Sequence, residues 1–390
     1  MFNPVFSRRR CLELGASAVL PLSADTKSNG NGVWPTQAAD RWKQRRGWMV
    51  GCNFIPSTAI NQLEMWQAAT FDLKTIEREL GWAAALGFRS VRIFLHDLLW
   101  QQDHRGFLER IDAVLDVCQS NGLGAMLVLF DSVWHPHPKL GVQAKPKPHV
   151  HNSGWVQSPG ADLLAAPRSR QSQLGKYVNG VVAHFSKDVR VHAWDIWNEP
   201  DQDNKDSYAT LEINDKAARV YPLLKQAFAW ARAARPTAPL TSAIHDGNWQ
   251  SLATLRPIER LILENSDVIS FHSYSKAPTL ERQINELRTW RRPIVCTEFM
   301  ARPAGSTFKP CLEILKRNDV SAYCWGFVSG KTQTIYPWDS WQRPYSEPPA
   351  VWFHDVLRPD GSAYDDKEVA YIKALTAPAP HSQTRVTNPR

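Results

Sequence analysis

The stretch Trp194-Asp195-Ile196-Trp197-Asn198-Glu199-Pro200 is an apolar run that ends in an adjacent amide and carboxylate and is stopped by proline. Such a run reads as a buried strand that delivers its last polar residues to one rim of a sheet. A second run, Pro293-Ile294-Val295-Cys296-Thr297-Glu298-Phe299, ends on a lone glutamate in the same way, 99 positions downstream of Glu199. Working outward, strand-like and helix-like runs alternate. Gly47 to Phe54 is followed by a helical face of Leu73, Ile76, Leu80, Ala83, Ala84 and Gly87, then by the strand Ser90 to Leu95. Leu108, Ile111, Leu115 and Cys118 mark the next helical face, and Ala125 to Phe130 the next strand. The rhythm continues through strands at 191–197, 239–243, 267–272, 294–298 and 322–327. Helices are expected near 169–185, 214–234, 249–264, 279–290, 307–318 and 365–375.

Eight strands alternating with helices predict an α/β fold, a closed (β/α)8 TIM barrel, as a single domain with long loop insertions after strands 3 and 8. An open doubly wound sheet would call for a glycine-rich nucleotide fingerprint between a strand and a helix, and none is present. The expected boundaries are a leader at 1–24, a linker at 25–40, the barrel at 41–376 and a polar tail at 377–390. A chain of 390 residues with 43% hydrophobic content supports a core of that size.

Net charge is +8, and Arg8, Arg9 and Arg10 in the leader supply part of it. Lysines and arginines are otherwise spread among acids, which argues against a nucleic-acid partner. Ser7-Arg8-Arg9-Arg10-Cys11-Leu12 before an apolar Leu14 to Leu22 stretch resembles a twin-arginine export signal, so a periplasmic or extracellular location is expected. No later run is long enough to insert in a membrane. The cysteines beyond the leader are Cys52, Cys118, Cys296, Cys311 and Cys324, an odd number without a close pair, and no disulfide framework is expected.

Barrel enzymes carry their reactive groups at the C-terminal ends of the strands. Read that way, Asn53, Arg92, Asp131, Asn198 with Glu199, His245, His272 with Tyr274, Glu298 and Trp325 form one constellation. Two carboxylates at strand ends are the minimum equipment for breaking a glycosidic bond. Asn198-Glu199-Pro200, His272-Ser273-Tyr274, Thr297-Glu298-Phe299 and Trp325, with Gly51-Cys52-Asn53 and Arg92, together resemble the retaining glycoside hydrolases of clan A, family 5 in particular.

The resemblance implies Glu199 as acid/base and Glu298 as nucleophile, with Asn198 on the sugar 2-hydroxyl, Trp325 stacked under the sugar and His272 orienting the site. Arg92 and Tyr274 are expected to hold Glu298 ionised, and partial burial beside a second carboxylate is expected to raise the pKa of Glu199. Asn53 and Trp134 complete the expected substrate contacts. One departure stands out: family 5 members often carry a histidine just beyond the third strand, where this chain has Asp131-Ser132-Val133-Trp134.

The expected function is retaining hydrolysis of a β-linked glucan, mannan or xylan, with a carbohydrate as the only partner, a monomer favoured, no cofactor and no metal. A non-catalytic carbohydrate-binding barrel and a transglycosylase sharing the covalent intermediate stand as alternatives. His135, His137, His149 and His151 offer imidazoles in one loop, at a spacing that is not diagnostic of a metal. With 17 tryptophans in the chain, Trp100, Trp134, Trp155, Trp249, Trp338 and Trp341 are expected on the ligand side, several of them in further sugar subsites.

Overall fold

The computed structural model describes residues 32–245 and 247–377. The expected leader, the first part of the linker and nearly all of the tail lie outside these residues.

Nine parallel strands form the barrel: β1 Val50–Asn53, β2 Ser90–Phe94, β3 Gly124–Val128, β4 Val191–Asp195, β5 Leu240–Thr241, β6 Ala243–Ile244, β7 Ile269–Ser273, β8 Ile294–Phe299 and β9 Ser321–Cys324. They pair in the order β5-β4-β3-β2-β1-β9-β8-β7-β6. β5 and β6 are two halves of one barrel position, interrupted at Ser242, whose hydroxyl donates to Trp197 O at 2.6 Å. The nine segments therefore fill eight positions, and the architecture is the (β/α)8 barrel. Almost every strand residue is buried, as both faces of a parallel barrel demand, which is why the strands read as continuous apolar runs rather than alternating ones. Gly51 is required where β1 passes β2, since a Cβ there would lie 1.9 Å from Ser90 O.

The helices follow their apolar faces. In Leu73–Ala85, Ile76, Leu80 and Ala83 are buried, and the Asp72 carboxylate caps the first turn by accepting from Thr75 N at 3.1 Å. Two boundaries differ from expectation. Helix Thr36–Arg46 begins inside the segment read as a linker, because Ala39 and Trp42, three apart on one face, close the barrel floor against Met49, Met126, Val295 and Tyr323. The helix expected from Trp249 starts only at Pro257. There Arg256 is the N-cap, and the Glu259 carboxylate accepts from its backbone N–H at 2.7 Å.

Two long connections cross the C-terminal rim. One runs from β3 to helix Arg168–His184, the other from β9 to helix Asp366–Thr376. They are bonded to each other, with Asn152 N donating to Thr332 O at 2.8 Å and Trp341 Nε1 to His151 O at 2.9 Å.

Candidate active site

Arg92, in the middle of β2, points up the barrel axis and is fully buried. Its guanidinium spends its donors on four side chains. Nε and Nη2 donate to Asp195 Oδ2 at 3.0 and 2.8 Å, Nη1 to Asn53 Oδ1 at 2.7 Å and Glu298 Oε1 at 2.8 Å, and Nη2 also to Asn198 Oδ1 at 2.6 Å. Residues from β1, β2, β4, β8 and the segment after β4 are thus gathered on one cation.

Glu298, in β8, is held from both sides. Besides Arg92 on Oε1, the Tyr274 hydroxyl donates to Oε2 at 2.7 Å. Burial and the Glu298 charge push the Tyr274 pKa well above its usual value, so the phenol stays a donor.

Glu199 follows β4 in a left-handed backbone conformation, φ 40°, a region costly for a non-glycine residue. The turn brings its side chain over the barrel mouth, where His272 Nδ1 donates to Oε1 at 2.8 Å and Gln202 Nε2 to Oε2 at 3.4 Å. Here the structure departs from the expected raised pKa. Burial does oppose ionisation, but the charge of His245 and the hydrogen bond and charge of His272 outweigh it and bring Glu199 down to about 2. His245 is itself paired with Asp201, Nε2 to Oδ1 at 3.0 Å.

The imidazole of His272 stands between the two glutamates. Its Nε2 is 3.5 Å from Glu298 Oε1 without hydrogen-bond geometry, and oxygens of Glu199 and Glu298 and a His272 nitrogen all lie within 4.8 Å of one another.

These groups open into a cleft of about 510 Å³ whose lining includes Asn198, Glu199, His272, Tyr274, Glu298 and Trp325. Five tryptophans line it: Trp134, Trp155, Trp325, Trp338 and Trp341. Trp134 and Trp341 stack at 5.9 Å between centroids. Charged side chains from the segment after Glu199, Asp203, Lys205 and Asp206, line the same cleft.

The Glycosyl hydrolase family 10 profile matches residues 97–254, a segment that contains β3, β4, Asn198 and Glu199. Solved structures match more of the chain. A GH5_18 protein from Streptomyces cattleya in complex with GlcNAc is 15% identical over 85% of this chain and 79% of its own, with a TM-score of 0.52. The endo-β-1,4-mannanase from Thermotoga petrophila is 12% identical over 86% and 77%, TM-score 0.54. The exo-β-1,4-mannosidase from Opitutaceae bacterium strain TAV5 is 18% identical over 92% and 62%, TM-score 0.54. No curated protein sequence matches.

The chain resembles the glycoside hydrolases of clan A. Within that resemblance the profile match is to family 10, whereas the residue pattern resembles family 5.

Asn53 holds the floor of the site rather than lining the cleft, donating through Nδ2 to Thr297 O at 2.9 Å and Cys324 O at 3.2 Å. Trp100 and Trp249 do not reach it. Trp100 packs on Gly180 and Tyr177, and Trp249 is buried with its Nε1–H on Glu259 Oε1 at 3.2 Å. The four loop histidines make structural contacts: His135 Nδ1 accepts from His137 N at 3.1 Å, the His137 ring meets Leu211 O through Nε2 at 3.3 Å, His149 Nδ1 meets the Tyr336 hydroxyl at 2.5 Å, and His151 Nδ1 donates to Tyr336 O at 2.7 Å.

Asp195 was missed by sequence reasoning, and His245 and Asp131 stood in the expected constellation with no role assigned. Asp195 neutralises Arg92, and its only signal was a charge inside an apolar strand. His245 carries the charge that acts on Glu199, and stood in the sequence only as a strand-end histidine. Asp131, where family 5 members often have histidine, accepts four N–H groups: Oδ1 from Val133 N at 2.9 Å and Asn198 Nδ2 at 3.1 Å, Oδ2 from Trp155 Nε1 at 2.6 Å and Gln62 Nε2 at 3.3 Å.

Proposed function

We propose that this chain is a retaining β-glycoside hydrolase acting on a β-linked oligo- or polysaccharide of the glucan, mannan or xylan type. The observation that carries the reading is the pair Glu199 and Glu298, with oxygens within 4.8 Å in one aromatic-lined cleft. Double displacement uses carboxylates about 5–5.5 Å apart, while inversion needs roughly 6.5–9.5 Å to admit a water between them.

In this reading Glu298, its charge stabilised by Arg92 and Tyr274, attacks the anomeric carbon as the glycosidic C–O bond breaks. Glu199 gives its proton to the departing oxygen. The glycosyl ester on Glu298 is then cleaved by a water whose proton returns to Glu199, so both carboxyl groups end as they began. The remaining Asn198 amide hydrogen is available to the sugar 2-hydroxyl, and Trp325 offers a ring face to the sugar.

Glu199 is ionised in the open site, so it must take up its proton in the complex. A bound sugar replaces water around the carboxylate and strengthens the desolvation that already opposes its charge. His272 Nδ1, at 2.8 Å, donates a hydrogen bond to Glu199 Oε1 and fixes the direction in which the carboxyl group faces.

Export by the twin-arginine route belongs to the same proposal. The Arg8-Arg9 leader supports it, and the five free, buried cysteines among the described residues suit a chain that folds before it crosses the membrane. The catalytic reading is tested by proton NMR of the first sugar released from an aryl β-glycoside. The β-anomer is expected first, and the α-anomer first would overturn retention.

A further inference from the structure

Resting on the hydrolase reading above, we propose that the cleft accepts a chain end: the enzyme removes one terminal sugar at a time, and the indoles of Trp155 and Trp325 are the wall that stops a longer glycone.

The orientation of a bound chain follows from the two carboxylates. An acid that protonates the glycosidic oxygen faces the leaving group, so the segment after Glu199, with Gln202, Asp203 and His245, flanks the leaving-group side. The sugar that becomes esterified lies the other way, over Glu298 and Trp325, toward β9, β1 and β2. A cleft open at both ends would continue past Trp325 across the ends of β1 and β2.

The cleft does not continue there. Asn53, Phe54, Ile55 and Phe94, at the ends of β1 and β2, line a separate cavity of about 20 Å³. Trp155 and Trp325 are the two residues that line both spaces. The indoles meet at 5.7 Å between centroids with planes at 65°, and both pack T-shaped with the Phe94 ring, at 5.2 and 5.8 Å.

This wall is fastened rather than draped. Trp155 Nε1 donates to Asp131 Oδ2 at 2.6 Å, and both residues are buried. The loop that carries Trp155 is bonded to the segment after β1, Asn61 Nδ2 to Gly154 O at 2.8 Å and Gln62 Nε2 to Val156 O at 3.1 Å. It is bonded to the segment after β9 as well, through Asn152 and His151 to Thr332 and Trp341. Three loops thus lock together over the β1 and β2 side. Both an exo-acting and an endo-acting fold neighbour have a TM-score of 0.54, so overall fold does not decide the matter and the local wall does.

The test uses the full chain on β-1,4-mannopentaose and cellopentaose, each reduced at its reducing end, in two forms: free at the terminal sugar, or capped there by a 4,6-O-benzylidene group. Aryl β-mannoside, β-glucoside and β-xyloside run alongside. The free form should yield monosaccharide as the first product, and the cap should slow cleavage by more than about 100-fold, since the ring it adds must enter a pinned indole wall. Trp155→Ala should restore cleavage of the capped form; if that variant fails to fold, the capped and free forms on the unmodified enzyme still decide. Capped and free substrates cleaved at comparable rates, or disaccharides appearing first, would overturn the wall while leaving the hydrolase intact. No cleavage of any substrate, aryl glycosides included, would overturn both.

Discussion

Arg92 joins two carboxylates of different depth: its Nη2 is 2.8 Å from Asp195 Oδ2 within the barrel, and its Nη1 is 2.8 Å from Glu298 Oε1 at the mouth. Neither the guanidinium nor Asp195 has side-chain exposure, so the cation is the condition for burying both anions. Replacing it with Met should cost about 3–5 kcal/mol, because two buried charges lose their partner. Urea denaturation measures the loss. The double variant R92M/D195N should recover part of it by removing one of the orphaned anions, and no recovery would show that the two side chains are not energetically coupled.

The roles of the two glutamates separate in azide rescue. Glu199→Ala keeps a nucleophile, so on an activated aryl glycoside it should accumulate a glycosyl-enzyme and give a β-glycosyl azide, while substrates with poor leaving groups slow by about 10²–10⁴-fold. Glu298→Ala with azide should give the α-azide. Products exchanged between the variants would reverse the assignment.

Tyr274 donates to the Glu298 oxygen that Arg92 does not touch. Tyr274→Phe removes a hydrogen bond to a charged group, about 1.5–3 kcal/mol, and should lower kcat by roughly 10–100-fold. Steady-state kinetics on the preferred substrate give the measurement; a rise in KM with kcat unchanged would make Tyr274 a binding residue instead.

His245 supplies the charge that, with His272, outweighs burial at Glu199. In His245→Gln the Glu199 pKa should rise, so its acid form persists to higher pH and the basic limb of kcat/KM moves upward. Stability follows the same linkage. A depressed carboxyl contributes stability present above its unfolded pKa of about 4.3 and lost as pH falls toward about 2, so the variant should be the less stable of the two above that window. A basic limb that does not move would remove His245 from the control of Glu199.

Asp131 has the opposite linkage. Burial pushes its pKa up to about 7 despite its four donors, so its contribution to stability is fully present below its unfolded value and is lost as pH rises through about 7. Asp131→Asn should flatten the pH dependence of stability between about pH 4 and 7. It should also cost about 1–3 kcal/mol, because its amide nitrogen would face the Trp155 and Gln62 donors without an acceptor. Denaturation curves across that range read both effects.

The barrel was legible because parallel strands buried on both faces are written as contiguous apolar runs, and helices packed on one side as residues at helical spacing. The same rule exposed the rim: polar residues that end an apolar strand, such as Asn198, Glu199 and Glu298, stand at the barrel mouth wherever the strand lies. What escaped was whatever depends on two distant segments meeting. Nothing local in Thr36–Arg46 says that Ala39 and Trp42 plug a floor made by Met126 and Val295, which the chain supplies much later. Nothing at Glu199 announces that His245 and His272 will turn its pKa down rather than up, since ionisation depends on the net of burial and neighbouring charge. The loop from 129 to 160 has no periodicity to read, yet its fastening to the segments after β1 and β9 sets Trp155 against Trp325. The sequence by itself determined the order of the strands and the chemical groups at their ends; the tertiary structure decided which of those groups share a proton, which share a charge, and where the cleft stops, because each is a contact between residues that only barrel closure brings within a few ångströms.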